Sequence, residues 1–262
     1  MRWRPLNRLR AIATRRELLI ELARKDFDVR YAGSFLGVLW TQLYPLLLLL
    51  VYSFVFSVIF KNNIPNFPLF LFTGIALWSF FSTSILLSTG AILANQGLIV
   101  KVGFPRELLV LSVILMALID LTASHVILFA GALWYGITPS LTWLLLPIIV
   151  LLLTIFSAGL GLALCTAAVY MRDVRFFTEV GVLILMFLTP LFWSQATIPE
   201  DFKWLVKVNP LATFVTAYRD AFMNGTAPNA ESWLVLVLSP AIAVLIGMEI
   251  FDRGQRGFPD AL

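Results

Sequence analysis

The chain has very few of the residues that build disulfides, metal sites and many catalytic sites. Its 262 residues include one cysteine, Cys165, and one histidine, His125. A single cysteine cannot form an intrachain disulfide, and one thiol with one imidazole does not complete the usual zinc ligand sets. The composition therefore argues against a metal hydrolase, and we expect neither catalytic nor metal-binding residues.

The chain also lacks a nucleotide-binding motif. No Gly-rich loop ends in Gly-Lys-Ser/Thr, and no lysine anywhere is followed by serine or threonine. A P-loop needs that lysine and that hydroxyl to hold the phosphates and Mg²⁺. The chain therefore has no P-loop of its own through which to hydrolyse ATP.

The chain also has few charged residues and many apolar ones. Charged residues make up 13% of the chain and hydrophobic residues 60%, whereas soluble domains carry about 25% charged residues. A bilayer core requires about 20 consecutive apolar residues in a helix. Six segments meet or approach that length, and we predict an all-α membrane protein in which residues 1–262 form a single transmembrane domain. The predicted spans cover residues 35–60, 69–93, 108–136, 141–170, 176–194 and 232–250.

The basic residues predict how these spans are oriented. With six spans, fifteen of the 19 lysines and arginines fall on the side that holds both termini. Cytoplasmic loops carry such an excess of positive charge, so we expect both termini in the cytoplasm. The same distribution accounts for the net charge of +4 without any role for nucleic acid.

Two amphipathic regions lie outside the spans. Residues 14–31 have an apolar i, i+4 row, and Thr14 with Glu17 fits a capping box. We predict an interfacial helix there, although a basic anchor that only fixes topology is the alternative. Between the fifth and sixth spans the sequence predicts a short outer-side helix bounded by Pro199 and Asn209, and a second one over Leu211–Met223. They are interfacial, re-entrant or part of a plain loop.

Polar and small residues inside the spans are the next candidates. Asp120 lies near the middle of the third span, where a carboxylate is costly and either functional or a packing residue. His125 does not share its face and is expected to be a packed histidine. Small residues at Gly33–Gly37 and in "SAGLGLA" of the fourth span predict close helix contacts. A simple break of the helix at Gly33, before the span begins, is the alternative.

Aromatic residues form a row through the depth of the first span. Tyr44, Tyr52 and Phe56 share one side of that helix, and Phe187 lies towards the outer end of the fifth span. Such a row suits sugar rings sliding through a channel. Ordinary core packing of the same residues is the alternative.

A short charged link separates the second and third spans. It reads "KVGFPREL" and contains Lys101, Gly103, Phe104, Pro105, Arg106 and Glu107. A turn that only sets topology would explain its charges. Phe104 indicates more, because an aromatic side chain in a solvated link favours a partner surface.

Four motifs of this chain resemble the membrane subunit of ABC exporters for polysaccharides, a type-2 ABC transporter family that includes teichoic-acid, O-antigen and capsule exporters. They are "RYAGSFLGVLWTQLYPLL", "NQGLIVKVGFPRELLVLS", "LTPLFWSQATIPE" and "NPLATFVTAYRDAFMNG". The resemblance runs from about Glu17 to the C-terminal "FPDAL", in the family's order. It implies a permease in the bacterial plasma membrane that acts as a homodimer with two separate ATPase subunits, which bind ATP and Mg²⁺.

The resemblance also implies roles for particular residues. A polymer on a polyprenyl diphosphate carrier would move from the cytoplasm to the outer face. Residues 100–107 would couple to the ATPase, and the first and fifth spans would line the channel. Arg24, Lys25 and Arg30 would lie where the lipid diphosphate enters, since lysine and arginine bind phosphate well.

Two other functions remain open from the sequence. A drug or antibiotic efflux permease of the same fold is one. A membrane enzyme acting on lipid-linked sugars is the other, but it would need an acid or metal constellation, and Asp120 alone is too little.

Overall fold

The computed structural model describes residues 15–61, 63–99, 104–195 and 198–262, which are mainly helical and contain no β-strand. This confirms the all-α prediction. The main helices are α1 Arg16–Tyr31, α2 Trp40–Phe54, α3 Phe67–Ala94, α4 Glu107–Trp134, α5 Leu146–Tyr170, α6 Val174–Leu188, α7 Lys203–Val208, α8 Pro210–Arg219 and α9 Ala230–Gly254. Short helices follow at Gln96–Ile99 and Phe258–Ala261, and π-helical turns extend α2 over Val55–Ile59 and α8 over Asp220–Asn224.

Five helical segments of the described residues are long and apolar enough to cross a membrane. They are Trp40–Ile59, Phe67–Ala94, Glu107–Trp134, Leu141–Tyr170 and Ala230–Ala261.

The helix at the predicted fifth span is shorter than each of these five segments. α6 has 15 residues, which at 1.5 Å per residue gives about 22 Å against a bilayer core of about 30 Å. It ends because Thr189 precedes Pro190 and takes an extended backbone, with φ −96° and ψ 136°. The count of six spans therefore stays a prediction.

α3 is the central helix of the bundle. Most of its side chains are buried, whereas those of α2 are largely exposed within this chain. α3 packs against α4 and α5, and α5 packs along α9. The α5–α9 contact is close because Gly159 faces Gly247, and a Cβ added at Gly247 would lie 2.0 Å from the Gly159 carbonyl oxygen.

The small residues of α5 thus make the predicted close contact, but those before α2 do not. A Cβ at Gly33 or Gly37 would meet nothing within 4 Å among the described atoms. Both glycines have positive φ, 72° and 48°, a conformation that glycine adopts without strain. Within this chain they interrupt the helical conformation between α1 and α2.

The segment predicted as an interfacial helix forms a helix, α1, which packs against α4. Its interfacial position stays a prediction. Leu22 and Ala23 are buried in that contact, and the Ser112 hydroxyl of α4 donates a hydrogen bond to Asp26 (3.0 Å). The N-cap is Arg15 without a side-chain cap bond, and Thr14 of the predicted capping box lies outside the described residues.

Hydrogen bonds gather the basic segments at one end of the bundle, which we call the basic end. There Lys25 Nζ donates to Asn95 Oδ1 (2.8 Å). The Tyr170 hydroxyl donates to the Gly254 carbonyl (2.5 Å). The first bond ties α1 to the end of α3, and the second ties the end of α5 to the end of α9.

The opposite end is closed by the segments between α6 and α9. Trp143 Nε1 donates to the Phe222 carbonyl (3.0 Å), and Asn209 Nδ2 donates to Thr189 Oγ1 (3.0 Å). α8 and its π-turn bury Phe214, Tyr218 and Phe222 completely. This segment is therefore part of the hydrophobic core and is not a solvated loop.

Candidate functional site

The charged link between α3 and α4 is held to the C-terminal part of the chain. Arg106 donates hydrogen bonds to the Gln255 carbonyl and to the Ile99 carbonyl (3.4 Å). Its guanidinium also lies 5.7 Å from the centre of the Phe258 ring. A displacement of the link would therefore move the start of α4 and the end of α9 together.

Other residues of the link differ in what the structure shows of them. Lys101 and Gly103 lie outside the described residues. Phe104 is half-buried against the chain's own hydrophobic core, so only part of its ring is available to a partner. Pro105 directly precedes α4, with Arg106 as the N-cap and Glu107 as the first helical residue. The roles of these residues at an ATPase surface stay predictions.

A groove of about 960 Å³ opens beside α1 at the basic end. Four cationic side chains line it, together with two acidic ones and an apolar wall. The cations are Lys25, Arg30, Arg172 and Arg175, the acids are Asp26 and Glu179, and the apolar wall includes Leu86, Leu87, Val113, Met116 and Phe176. A groove with clustered cations beside an apolar wall suits an amphiphile with an anionic head.

The groove includes two of the three cations predicted for lipid diphosphate and adds two more. Lys25 and Arg30 line it, whereas Arg24 is exposed and is not among its lining residues. Arg172 comes from the turn between α5 and α6, and Arg175 lies in the first turn of α6. In the sequence both count among the fifteen basic residues on the side of the termini. Their position before a predicted span, three residues apart, was the available sign, but nothing local shows that α1 lies opposite them.

Asp26 is the acid of this groove that belongs to α1. Burial raises the pKa of its carboxyl above the ordinary value, although the hydrogen bond from Ser112 and the charge of Lys25 act in the opposite direction. Its charge is therefore more costly to keep than that of an exposed aspartate.

Asp120 and Arg30 were predicted separately, and the structure brings them together. Arg30 Nη1 lies 3.7 Å from Asp120 Oδ2. Gln42 Nε2 donates to the Asp120 carbonyl (2.9 Å), and Ser124 Oγ donates to Gln42 Oε1 (2.9 Å). α1, α2 and α4 therefore meet in one polar network, beside a cavity of about 360 Å³ that Tyr44 also lines.

His125 takes no part in that network. Its Nδ1 lies 2.8 Å from the Leu121 carbonyl, and its Nε2 lies 2.7 Å from the Tyr218 hydroxyl. It thus joins α4 to α8, as expected for a packed histidine. The described residues contain no group of three His, Cys, Asp or Glu side chains that could hold a metal ion.

The predicted channel-lining aromatics have two different environments. Tyr44 is 61% exposed and Phe187 62% exposed within this chain. Tyr52 and Phe56 are instead half-buried against Phe192, with ring centroids 4.8 and 5.5 Å apart. Tyr44 and Phe187 are therefore free to face a channel or a second subunit, while Tyr52 and Phe56 join α2 to the turn after α6.

Comparison with known proteins decides the family. The profile of the family described as "ABC-2 type transporter" matches residues 17–223. The chain belongs to that family. It is 34% identical over 247 residues to an O-antigen export system permease protein of Klebsiella pneumoniae, covering 94% of this chain and 95% of that protein.

Two further relatives extend the comparison. An O-antigen export system permease protein of Myxococcus xanthus is 32% identical, with 94% of this chain and 96% of that protein covered. A polysialic acid transport protein of Escherichia coli is 27% identical, with 88% and 91% covered. The match therefore extends over nearly the full length of proteins whose names describe polysaccharide export.

Proposed function

We propose that this ABC-2 family chain is the membrane subunit of an ATP-driven exporter for a cell-surface polysaccharide of the O-antigen or capsule type. The near full-length similarity to O-antigen export permeases is the observation on which this proposal depends. The polymer would travel on a polyprenyl diphosphate carrier. The basic end would face the cytoplasm, because positive charge is concentrated there.

The groove beside α1 supports a lipid-linked anionic substrate. Diphosphate is a dense anion that lysine and arginine bind through charge-assisted hydrogen bonds. The apolar wall next to the cations would accept the first part of the polyprenyl chain. Lys25, Arg30, Arg172 and Arg175 would hold the head at the cytoplasmic surface before it enters the transport path.

The energy would come from a separate ATPase subunit, since the chain contains no P-loop. Residues 100–107 would contact that subunit. Arg106 would transmit a movement of the ATPase subunit from the link to the end of α9, because it donates a hydrogen bond to the Gln255 carbonyl. A homodimer of the chain, with two ATPase subunits, would enclose the path.

Copurification and coupling test the proposal. A tagged chain is expected to copurify from the membrane with a nucleotide-binding subunit. Deletion of the gene for this chain is expected to remove the polymer from the cell surface. Arg106→Ala should keep the complex but lower the ATP hydrolysis stimulated by lipid-linked polymer several-fold. Lys203→Ala, which removes an exposed cation at the opposite end, is the matched control and should behave as wild type.

Three results would contradict the proposal. A chain that purifies without any ATPase is not an exporter subunit of this type. Normal surface polymer in the deletion strain, together with sensitivity to a drug, would indicate efflux instead. Stimulated ATP hydrolysis that is unchanged in Arg106→Ala would remove the coupling role of this residue.

A further inference from the structure

A further polar cavity lies at the end of the bundle opposite the basic end. Its volume is about 380 Å³, within the range of about 300–1,000 Å³ typical of small-ligand pockets. It lies between the start of α3, the turn after α6 and the end of α8. Its polar lining includes Asn66, Gln195, Thr216, Arg219, Asp220 and Asn224, and its apolar lining includes Phe70, Ile137 and Met223.

Arg219 forms an inner wall of this cavity and is only 5% exposed. Its Nε donates to Thr73 Oγ1 (3.2 Å), and its Nη1 donates to the Pro190 carbonyl (3.0 Å). The guanidinium carbon lies 3.5 Å from the centre of the Phe70 ring. Arg219 therefore joins α8 to α3 and to the turn after α6, which fixes the walls of the cavity relative to one another.

The charge of Arg219 is only partly compensated. No carboxylate of the described residues lies within 4 Å of it, and its Nη2 is buried without a hydrogen-bond partner. Burying a cation in this way is costly. Asp220, the next residue, accepts a hydrogen bond from Asn224 Nδ2 instead (2.9 Å).

The backbone around the cavity departs from regular helix on two sides. Asp220–Asn224 forms a π-helical turn, and such turns are frequent at functional sites. Asn66, on the facing wall, has a positive φ of 51°. These two irregular segments contribute Asp220, Asn224 and Asn66 to the lining.

We propose that this cavity is a sugar-binding subsite, which takes a neutral hexose-type ring of the polymer on the face where it emerges. Sugar hydroxyls both donate and accept hydrogen bonds, and the cavity offers a carboxylate acceptor together with amides that do both. The apolar side of the ring would pack against Phe70 and Met223. Arg219 and Asp220 carry opposite charges, so the lining has no net charge and suits a neutral ring better than an anion.

The inference rests on the proposed export function, since only a permease that moves sugars has reason to hold one there. Arg219 acts in it as a positioning residue, and Asp220 and Asn224 are the groups expected to contact the ring. Asn224 is exposed, so its replacement should leave the fold intact.

The test is the binding of free monosaccharides to the purified complex of the chain with its ATPase. Saturation-transfer NMR measures that binding. The probes are glucose, galactose, mannose and N-acetylglucosamine, with inorganic diphosphate as the anionic competitor. At least one sugar should bind wild type, and Asn224→Ala and Asp220→Asn should each weaken that binding about tenfold, the equivalent of one or two hydrogen bonds. Asp201→Asn, which changes an exposed carboxylate at the same end, should bind normally.

The outcomes separate this inference from the proposed function. If wild type exports polymer but binds none of the four sugars, or binds one equally well in both cavity variants, the subsite is refuted while the export function stands. Displacement of the sugar by diphosphate would also refute it, in favour of an anion site. If a sugar binds as expected but deletion of the chain leaves the surface polymer unchanged, the export function fails instead, while the subsite stands.

Discussion

Replacing Gly247 with alanine tests the packing on which the bundle depends. The new Cβ would lie 2.0 Å from the Gly159 carbonyl oxygen and 2.8 Å from its carbonyl carbon. Ordinary contacts begin near 3.4 Å, so α5 and α9 would have to separate by about 1.4 Å, the difference between these distances. Neither atom can turn aside, because both belong to helix backbone.

The loss of stability in Gly247→Ala can be estimated from the contact between α5 and α9 that would be lost. Overpacking of a tight site costs about 1–3 kcal/mol, and separating the helices also weakens the neighbouring contacts that small residues allow. We expect the free energy of unfolding to fall by about 2–3 kcal/mol, which corresponds to a melting temperature about 4–12 °C lower.

The measurement is thermal unfolding of the purified complex in one detergent. Gly90→Ala is the matched control, since it also lies within a membrane helix and its Cβ would meet nothing within 4 Å. It should keep or slightly raise the melting temperature, because alanine favours the helix over glycine by about 1 kcal/mol. Equal melting temperatures for Gly247→Ala and Gly90→Ala would refute the inferred close contact.

Three other predictions concern charged side chains. Replacing both Arg172 and Arg175 with glutamine removes two contacts to the diphosphate. The concentration of lipid-linked polymer that half-maximally stimulates ATP hydrolysis should therefore rise about tenfold or more. A value equal to that of the exposed control variant Arg253→Gln would contradict the groove assignment. Asp120→Asn should lower export no more than about tenfold, because the carboxylate serves as the partner of an arginine on α1; complete loss in a normally assembled complex would indicate a chemical role. Asp26→Asn should stabilise the protein at neutral pH by less than about 1 kcal/mol, because the carboxyl is half exposed. The folded protein raises the pKa of this carboxyl, so wild type loses stability as pH rises from below the unfolded pKa through the folded one. In thermal unfolding, the higher melting temperature of Asp26→Asn relative to wild type should therefore disappear below about pH 4. A difference in melting temperature that grows on acidification would contradict the direction of this pKa shift.

The sequence by itself determined that the protein is helical and lies in a membrane. Long apolar runs are a local property, because the bilayer requires each span to satisfy its own backbone hydrogen bonds. The charged link before α4 could also be placed without the fold, because its charges interrupt two long apolar runs. The family resemblance added the expected transport function and the partner ATPase.

Only the tertiary structure decided which of these residues meet. Arg30 and Asp120, 90 positions apart, form one ion pair, and Arg172 with Arg175 completes a cationic groove beside α1. Arg219 is one of the four basic residues that the sequence places on the side away from the termini, and the structure buries it where α8 packs against α3. Periodicity shows which residues share a face of one helix, but not which other helix packs against that face. That choice depends on contacts between distant segments, such as Gly159 against Gly247, where two backbones touch because neither residue has a side chain.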